Sequence, residues 1–547
     1  MTLNNPCLDI LVADDATQDR IAIVVTAERR LSYRELRRAS IGLALKLLGR
    51  GVDSNSCVAI ESKNSLSSVI AILAVGLLGA SWVNAVPVLW RDRKVKVTHL
   101  LSPNASLKVI FSNISWIELT DEMAYAPADY EDLYRSYRMP DYDQRRIWFF
   151  AQSSGTTGQP KFIGLSYENY SLRNGKANLT HDFNPVITAC LFPALSSAWV
   201  SYNLRTLAEH GTWVMGSNIR LFAEQNVQKV FGSPIQFEQF FAENSQAATK
   251  KIPIAHVAGA KPPKALTERI LESFVVIHNF YGSVEVGGIA RNVIEHIDDD
   301  RQCVGRILDG NEVRIVDEGY APVVWGVEGL IGVRNSIMAV GYFDDAESTA
   351  RCFRDGYFYS GDRGYFNQDG QLYLTARTSD IVNLGGMKVA LPLFDDMLAS
   401  QPGVKDGLCF TMPNTTGEEL LMAMIVLSGT VSADEAVAIL RKYLLSYPKF
   451  MTIRGIFIVE AIPRNENGKA MRKDALEATL GLQPTWLFPF SFNGKEYDSY
   501  SLSAKAQGIV RMLQEADRSI GAFREELAIA STARNAYADT LQLLLPS

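Results

Sequence analysis

A run of glycine and hydroxyl-bearing residues in the first third of the chain is a candidate binding loop. It reads Ser153-Ser154-Gly155-Thr156-Thr157-Gly158-Gln159-Pro160-Lys161 and follows the apolar run 147–150. Small residues leave backbone N–H groups free to surround phosphate oxygens, and Lys161 can offset the phosphate charge. The pattern is not G-x-x-x-x-G-K-[ST], because no Ser or Thr follows the lysine. It predicts polyphosphate binding, and a surface turn rich in Ser, Thr and Gly is the alternative when the run is taken alone.

A second motif, Asn279-Phe280-Tyr281-Gly282-Ser283-Val284-Glu285, follows the apolar run 274–277. Open α/β sheets bind ligands at the carboxyl ends of their strands. There Tyr281 offers a flat face for a base, and Glu285 offers a hard oxygen for Mg²⁺. The motif is consistent with nucleotide binding, whereas a structural Tyr-Gly turn is the alternative for a single motif of this length.

Two further motifs lie towards the C-terminus. In Tyr359-Ser360-Gly361-Asp362 a carboxylate beside a glycine turn can accept both hydroxyls of a ribose, and Arg377 can anchor the same sugar or a phosphate. The pair Gly385-Gly386 admits close approach of another backbone. The glycine-flexed loop 463–469 presents Lys469. Each of these is, singly, also typical of a β-turn with a solvated charge.

The elements that must position these loops alternate along the chain. Short β-rich runs alternate with helical stretches, which predicts an α/β architecture with buried strands. Later runs such as 313–316, separated by glycines, predict a β-rich subdomain. From about Arg377 the pattern restarts as a unit of about 100 residues, a usual domain size. We therefore predict a large α/β domain over 1–377, a small α+β domain over 378–482 and a helical extension over 483–547.

The composition is that of a globular protein. The 547 residues carry a net charge of -6, which argues against nucleic-acid binding by bulk positive charge. The six cysteines form no C-x-x-C pair, so neither a disulfide framework nor a thiolate zinc site is indicated. Residues 1–19 lack the pattern of a secretory signal, and we expect a cytoplasmic protein. The apolar run 69–83 is shorter than the roughly 20 residues of a membrane span, so it predicts a buried helix followed by a buried strand.

Together, the four motifs resemble the adenylate-forming superfamily, which includes acyl-CoA synthetases, nonribosomal peptide adenylation domains and firefly luciferase. The resemblance covers about 31–476 and extends to Gly259-Ala260, Gly305-Arg306 and Gly341-Tyr342. It implies that a carboxylic acid and ATP, with Mg²⁺, give an acyl-adenylate and pyrophosphate. The thiol of CoA or of a phosphopantetheinyl carrier protein, or in an alternative an amine, then displaces AMP. It also implies that the small domain is mobile about a hinge between the two steps.

The resemblance also implies roles for individual residues. The loop 153–161 would hold the β- and γ-phosphates, and Lys469 would bridge the substrate carboxylate and the α-phosphate. Glu285 would help to bind Mg²⁺, and Gly385-Gly386 would line a tunnel for a pantetheine arm. The remaining nucleotide contacts would come from Gly259, Ala260, Asn279, Phe280, Tyr281, Gly282, Ser283, Asp362 and Arg377. Lys469, Glu285 and Lys161 are the expected catalytic residues.

Two positions depart from the family pattern. Val284 stands where the family usually has a threonine that contacts the AMP phosphate and the metal region. Ser379 stands where the hinge commonly has Asp or Lys. These departures leave a weakly active or non-catalytic adenylate-binding protein as an alternative to an enzyme, and the retention of Lys469 and Glu285 favours the enzyme.

The residues around the expected acyl pocket restrict the acid. The resemblance implies that relatives which activate α-amino acids carry an aspartate in the segment 191–200 to pair with the ammonium. Here the segment has no acidic residue, and the ammonium would be buried unpaired at high cost. We therefore expect a small or medium apolar or aromatic acid. The expected lining residues are Ser197, Trp199, Phe280, Gly288 and Ile289, and core packing is the alternative for Trp199.

Beyond Pro484 an aromatic segment precedes a polar tail. In this tail Ile509, Leu513, Ala516, Ile520, Phe523 and Leu527 are spaced as on one face of a helix. This apolar helix face, called the helical seam below, would pack on its own chain, on a second copy as a homodimer, or on a separate carrier protein. A carrier domain around Ser499 would need more chain than remains.

Overall fold

The computed structural model describes a defined set of residues. They are 5–11, 17–61, 66–85, 95–105, 107, 114–120, 143–153, 161–176, 185–244, 250–260, 262–296, 303–384, 387–413, 419–444, 453–465, 470–480, 486–487, 490–492, 495–497 and 509. The chain divides into two compact units, the first made of 1–375 with 465–469 and the second of 376–464 with 470–547.

Helices and strands alternate through most of the first unit. Its strands are β1 (Ile21–Val24), β2 (Arg30–Ser32), β3 (Cys57–Ile60), β4 (Ser81–Asn84), β5 (His99–Ser102), β6 (Ser115–Glu118), β7 (Ile147–Ser153), β8 (Lys161–Ser166), β9 (Ile187–Cys190), β10 (Thr212–Val214), β11 (Lys229–Gly232), β12 (Ile252–Ala258), β13 (Phe274–Ser283), β14 (Gly287–Ile294), β15 (Cys303–Ile307), β16 (Glu312–Val316), β17 (Gly329–Arg334), β18 (Phe353–Arg354), β19 (Tyr357–Phe366) and β20 (Leu372–Arg377). Its helices are α1 (Pro6–Leu11), α2 (Tyr33–Leu48), α3 (Leu66–Leu77), α4 (Tyr167–Lys176), α5 (Ser197–Ala208), α6 (Ile219–Glu224), α7 (Pro234–Glu243), α8 (Lys264–Ser273) and α9 (Ala346–Cys352).

The described strands of the first unit form two sheets. In the first sheet the order is β6-β5-β3-β4-β7-β8, with parallel pairs except for the antiparallel pair of β7 and β8. In the second, a run of parallel strands, β10-β9-β11-β12-β13, continues through antiparallel β14 into the antiparallel strands β15, β20, β19, β17 and β16. The predicted α/β architecture and its β-rich part are confirmed.

The apolar run 69–83 forms the helix and strand that its length predicts. Every residue of α3 is buried, because a helix that is apolar on all sides must be covered on all sides. The chain then enters β4, which lies in the interior of the first sheet. Among the helices that the structure describes, none has both the length and the apolar character needed to cross a membrane.

The second unit is built around a smaller sheet. After a 3₁₀ turn at Thr378–Asp380, its elements are β21 (Ile381–Leu384), β22 (Met387–Ala390), α10 (Leu391–Ala399), β23 (Val404–Pro413), β24 (Glu419–Leu427), α11 (Ala433–Leu444), β25 (Gly455–Ile458) and α12 (Arg472–Thr479). A partly buried ion pair joins α12 to α10, where the Arg472 guanidinium lies 2.6 Å from Asp395 Oδ2. This unit has the predicted α+β character.

The chain beyond residue 483 differs from the predicted helical extension where it is described. Three short strands follow: β26 (Trp486–Leu487), β27 (Phe490–Phe492) and β28 (Lys495–Tyr497). Strand β26 pairs antiparallel with β25 and so extends the sheet of the second unit. The aromatic residues of this segment alternate with period two, which is the spacing of a strand and not of a helix. The helical seam lies outside the described residues except for Ile509.

Candidate active site

The hydroxyl-rich loop joins two neighbouring strands of the first sheet. Strand β7 ends at Ser153 and β8 begins at Lys161, and these two residues pair across the antiparallel ladder. The two ends of the loop are therefore held side by side at the edge of the sheet. Ser154, Gly155, Thr156, Thr157 and Gly158 lie outside the described residues, so their phosphate contacts stay a prediction.

The second and third motifs meet directly. Tyr281, near the end of β13, donates its hydroxyl to Asp362 Oδ2 at 2.7 Å, and Ser360 Oγ donates to the same oxygen at 2.8 Å. Asp362 is only 5% exposed, so these donors help to hold a carboxylate that water scarcely reaches. The expected base-binding tyrosine and ribose-binding aspartate thus lie at one place.

Glu285 is connected to the first motif through Tyr342. The Tyr342 hydroxyl donates to Glu285 Oε1 at 3.0 Å, and Glu285 is 5% exposed. Lys161 Nζ lies 4.8 Å from the centre of the Tyr342 ring, in the range of a cation–π contact. Tyr342 was part of the family resemblance, but sequence reasoning gave it no role.

Arg173, on α4, fixes the backbone of the turn that carries Glu285. Its guanidinium donates to the carbonyl oxygens of Val284 at 2.9 Å and Glu285 at 3.2 Å. It also donates to Asn169 Oδ1 at 3.0 Å. Burial lowers the pKa of Arg173 to about 10, so the group is still charged at neutral pH. Sequence reasoning missed Arg173, and a lone arginine in an amphipathic helix gives no signal of such a role.

The geometry around β13 requires glycine at one position. A Cβ on Gly282 would lie 2.4 Å from the carbonyl oxygen of Gly287, across the β13–β14 pairing. The tight approach lets the chain turn between Tyr281 and Glu285. At the end of β12, Gly259 has φ +92, which favours glycine, and Ala260 follows it.

Several buried polar atoms near strand ends have no partner among the described residues. Among them are Ser283 Oγ at the end of β13 and Gln152 Nε2 near the end of β7. Such atoms are costly unless a ligand or water satisfies them. Within the same residues no cluster of three acidic, His or Cys side chains exists. A single carboxylate, as at Glu285, suits Mg²⁺ that is bound mainly through nucleotide phosphates. These features fit a magnesium nucleotide.

Phe280 belongs to a row of stacked aromatic rings. Its ring lies parallel to that of His256 at 3.9 Å, and His256 Nε2 is 3.1 Å from the Tyr202 hydroxyl. The Tyr202 ring stacks in turn on Phe231 at 4.4 Å. Burial, followed by the nearby positive charge of Lys229, lowers the pKa of His256 well below its ordinary value, so the imidazole is neutral. This packing was not predicted from the sequence.

The other residues expected to contact the acid differ in how accessible they are to a substrate. Trp199 is fully buried and packs edge-on against Trp213 at 5.3 Å, so in this conformation it offers a substrate no surface. Ser197 begins α5, with its hydroxyl 3.5 Å from the carbonyl oxygen of Gln152. Gly288 is exposed, whereas Ile289 is buried in the core of the β-rich part.

Some expected residues belong to the second unit or lie outside the described part of the chain. Arg377 ends β20, two residues beyond the division of the units, and Ser379 lies in the following 3₁₀ turn. Lys469 and the pair Gly385-Gly386 are outside the described residues, so their roles stay predictions.

Comparison with known proteins gives matches over most of the chain. The model of a family described as AMP-binding enzyme matches residues 12–343. The 4-chlorobenzoate–CoA ligase of an Arthrobacter species is 25% identical over 477 residues, which cover 82% of this chain and 90% of that protein. The o-succinylbenzoate coenzyme A synthetase of Bacillus subtilis, solved with ATP and magnesium ion, is similar with a TM-score of 0.72 and 21% identity, covering 86% of this chain and 98% of that one. The amide bond synthetase McbA of Marinactinospora thermotolerans gives a TM-score of 0.72 at 20% identity, covering 86% and 99%.

Proposed function

The chain belongs to the AMP-binding enzyme family, as its motifs predicted, and we propose that it activates a carboxylic acid with ATP and transfers the acyl group to coenzyme A. In the first step a carboxylate oxygen bonds to the α-phosphorus of ATP, and the bond from that phosphorus to pyrophosphate breaks. In the second step the thiol sulfur bonds to the acyl carbon, AMP leaves with the former carboxylate oxygen, and the thiol proton is released. No covalent enzyme intermediate is required.

The observation that carries this proposal is the meeting of distant motifs in the first unit. Tyr281 and Asp362 share a hydrogen bond, as expected for neighbours around one nucleoside. Lys161 and Glu285 contact the same residue, Tyr342, as expected for a cation and a carboxylate that serve one triphosphate. Glu285 and Asp362 are each only 5% exposed, and because burial of a carboxylate is costly, a binding role for both supports the proposal.

Each residue then has a defined task. Asp362 accepts the ribose hydroxyls, and Tyr281 lies against the base. Lys161 offsets charge on the phosphates that the loop 153–161 surrounds. Mg²⁺, when bound beside Glu285, neutralises phosphate charge and favours departure of pyrophosphate. Lys469 brings the carboxylate to the α-phosphorus, since an ammonium lowers the repulsion of two anions.

The acid that we propose is apolar or aromatic and of small or medium size. Phe280 and the neutral His256 behind it form an uncharged aromatic wall at the end of β13. The curated relative that acts on 4-chlorobenzoate supports an aromatic acid.

The test is carboxylate-dependent exchange of labelled pyrophosphate into ATP. We expect exchange with at least one acid from a panel of aliphatic, aromatic and amino acids, with little or no exchange for α-amino acids. The absence of exchange with every acid, from a folded protein, would contradict the proposal and favour a non-catalytic adenylate-binding or partner-docking role.

An amine is the second candidate acceptor, because the fold is also similar to that of an amide bond synthetase. CoA, a pantetheinylated carrier protein and a set of amines should be supplied in parallel with the activated acid. Release of AMP with only the amines would show that the enzyme is an amide synthetase and not a thiol ligase. Release with the carrier protein and not with CoA would assign the acyl group to a carrier.

A further inference from the structure

We propose that Tyr342 is a positioning residue of the magnesium-nucleotide site, where its hydroxyl orients the carboxylate of Glu285. The inference rests on the proposed function and deepens it, because it names the group that prepares the carboxylate for the metal. Val284 directly precedes Glu285 and has an apolar side chain that packs against the core of the first unit. The side chain of Val284 therefore offers the carboxylate of Glu285 no hydrogen-bond donor, and a buried carboxylate requires one.

The hydrogen bond from Tyr342 meets this requirement. Its hydroxyl donates to Glu285 Oε1 at 3.0 Å, although the two residues are 57 positions apart in sequence. Glu285 is almost completely buried, and a buried carboxylate needs donors to hold one orientation. The backbone of the same residue is fixed separately by Arg173 and by the N–H of Ala339, which donates to the Glu285 carbonyl at 2.7 Å. Backbone and side chain of Glu285 are thus both held.

Tyr342 is itself held rigidly. Its backbone N–H donates to Thr349 Oγ1 at 2.9 Å, and its ring packs edge-on against Phe353 at 5.7 Å. A Cβ on Gly341 would lie 2.5 Å from Thr349 Cγ2, so glycine is needed to bring this turn so close. The next residue, Phe343, donates its N–H to the carbonyl oxygen of Phe162 at 2.7 Å. Tyr342 is therefore anchored on β8, the strand that begins with Lys161.

The same tyrosine orders Lys161. The ammonium lies over the ring face at 4.8 Å, whereas the carboxylate of Glu285 lies at the hydroxyl. The tyrosine thus places the cation and the anion on different parts of one side chain. This arrangement prepares Lys161 for phosphate oxygens and Glu285 for the metal.

The experiment compares Tyr342→Phe with the wild type in calorimetric titrations of ATP at several Mg²⁺ concentrations, without any acid. The variant keeps the ring and loses the hydroxyl. We expect the Kd of MgATP to rise about tenfold, because a hydrogen bond to a charged group is lost. We also expect the Mg²⁺ concentration that gives half-maximal ATP binding to increase, an effect that a loss of packing alone would not produce.

Tyr357→Phe is the matched control, because the Tyr357 hydroxyl also donates to a glutamate, Glu312, away from this site. We expect its MgATP binding to equal that of the wild type. Equal binding of MgATP by Tyr342→Phe and the wild type, or an equal loss of binding in Tyr357→Phe, would overturn the inference while leaving the proposed function intact. A wild type that does not bind MgATP would overturn both.

Discussion

The hydroxyl of Tyr281 donates a hydrogen bond to Asp362 Oδ2 at 2.7 Å, across 81 residues of sequence. The bond joins the end of β13 to β19, and so it connects the strand that precedes the Glu285 turn to the antiparallel part of the same sheet. Because the tyrosine hydroxyl and the carboxylate hold each other, the two residues expected to bind base and ribose form one preorganised surface. Removing either group should therefore weaken nucleotide binding.

Tyr281→Phe should raise the KM for ATP by about tenfold, since a hydrogen bond to a charged group contributes about 1.5–3 kcal/mol. Asp362→Asn should have a larger effect, because it removes the charged acceptor for the ribose hydroxyls as well. Pyrophosphate exchange at varied ATP concentrations measures both effects. Ser360→Ala, which removes the other donor to Asp362, serves as the comparison. An unchanged KM for ATP in Asp362→Asn would contradict the assignment.

Lys469→Ala should separate the two half-reactions. We expect adenylate formation to fall by orders of magnitude, because the ammonium acts where the carboxylate meets the α-phosphate. Transfer from supplied acyl-adenylate to CoA should be affected much less. Rapid-quench assays of each step measure the two rates, and equal losses in both would contradict the assigned role.

His256 should make the stability of the first unit depend on pH. Its pKa is lowered well below that of an unfolded histidine, mainly by burial, and the nearby charged or titratable groups are Lys229, His278, Arg291 and Arg205. The unfolded chain then binds the proton more readily than the folded chain. The stability is fully present above the unfolded pKa of about 6.5 and falls below it by up to about 1.4 kcal/mol per pH unit.

Denaturant unfolding between neutral and mildly acidic pH measures this dependence. His256→Gln keeps a hydrogen-bonding side chain and removes the titration, so its unfolding free energy should fall less steeply with acidification. Parallel pH profiles of the wild type and the variant would show that the folded chain accommodates a charged His256.

The sequence allowed the elements to be predicted better than their contacts. The apolar run 69–83 predicted α3 and β4 because a segment that is apolar on every side has no solvated alternative. The contact of Tyr342 with Glu285 could not be predicted from the sequence, because it depends on how α9 and β8 pack and not on the local pattern of residue types. For the segment that begins at Trp486, the period-two aromatics indicate a strand. The prediction of a helical extension over 483–547 rests instead on the helical spacing that begins at Ile509.

In the second unit, Arg472→Leu should strongly destabilise the fold. Arg472 contacts both carboxylate oxygens of Asp395, and Asp395 also accepts the N–H of Cys409 at 2.6 Å. Leucine would leave this partly buried carboxylate without its cationic partner, and the loss should approach the roughly 3–5 kcal/mol that breaking a buried pair costs. The neighbouring Lys473→Ala removes only an exposed pair with Glu477 and should change the unfolding free energy by less than about 1 kcal/mol. Chemical denaturation followed by a probe in the second unit measures both.

The turn that carries Glu285 should require the planar geometry of the Arg173 guanidinium and not merely its positive charge. Its planar guanidinium donates to the carbonyl oxygens of two successive residues, Val284 and Glu285, and the single ammonium of lysine does not reproduce that fork. Arg173→Lys should therefore raise the KM for MgATP at neutral pH although the positive charge is kept. Arg173→Met should produce a similar rise and also lower the unfolding free energy, because the carbonyl oxygen of Val284 loses the Arg173 donor and that of Glu285 keeps only the N–H of Ala339. If Arg173→Lys matched the wild type in KM while only Arg173→Met were impaired, the charge of Arg173 and not its geometry would be what the turn requires.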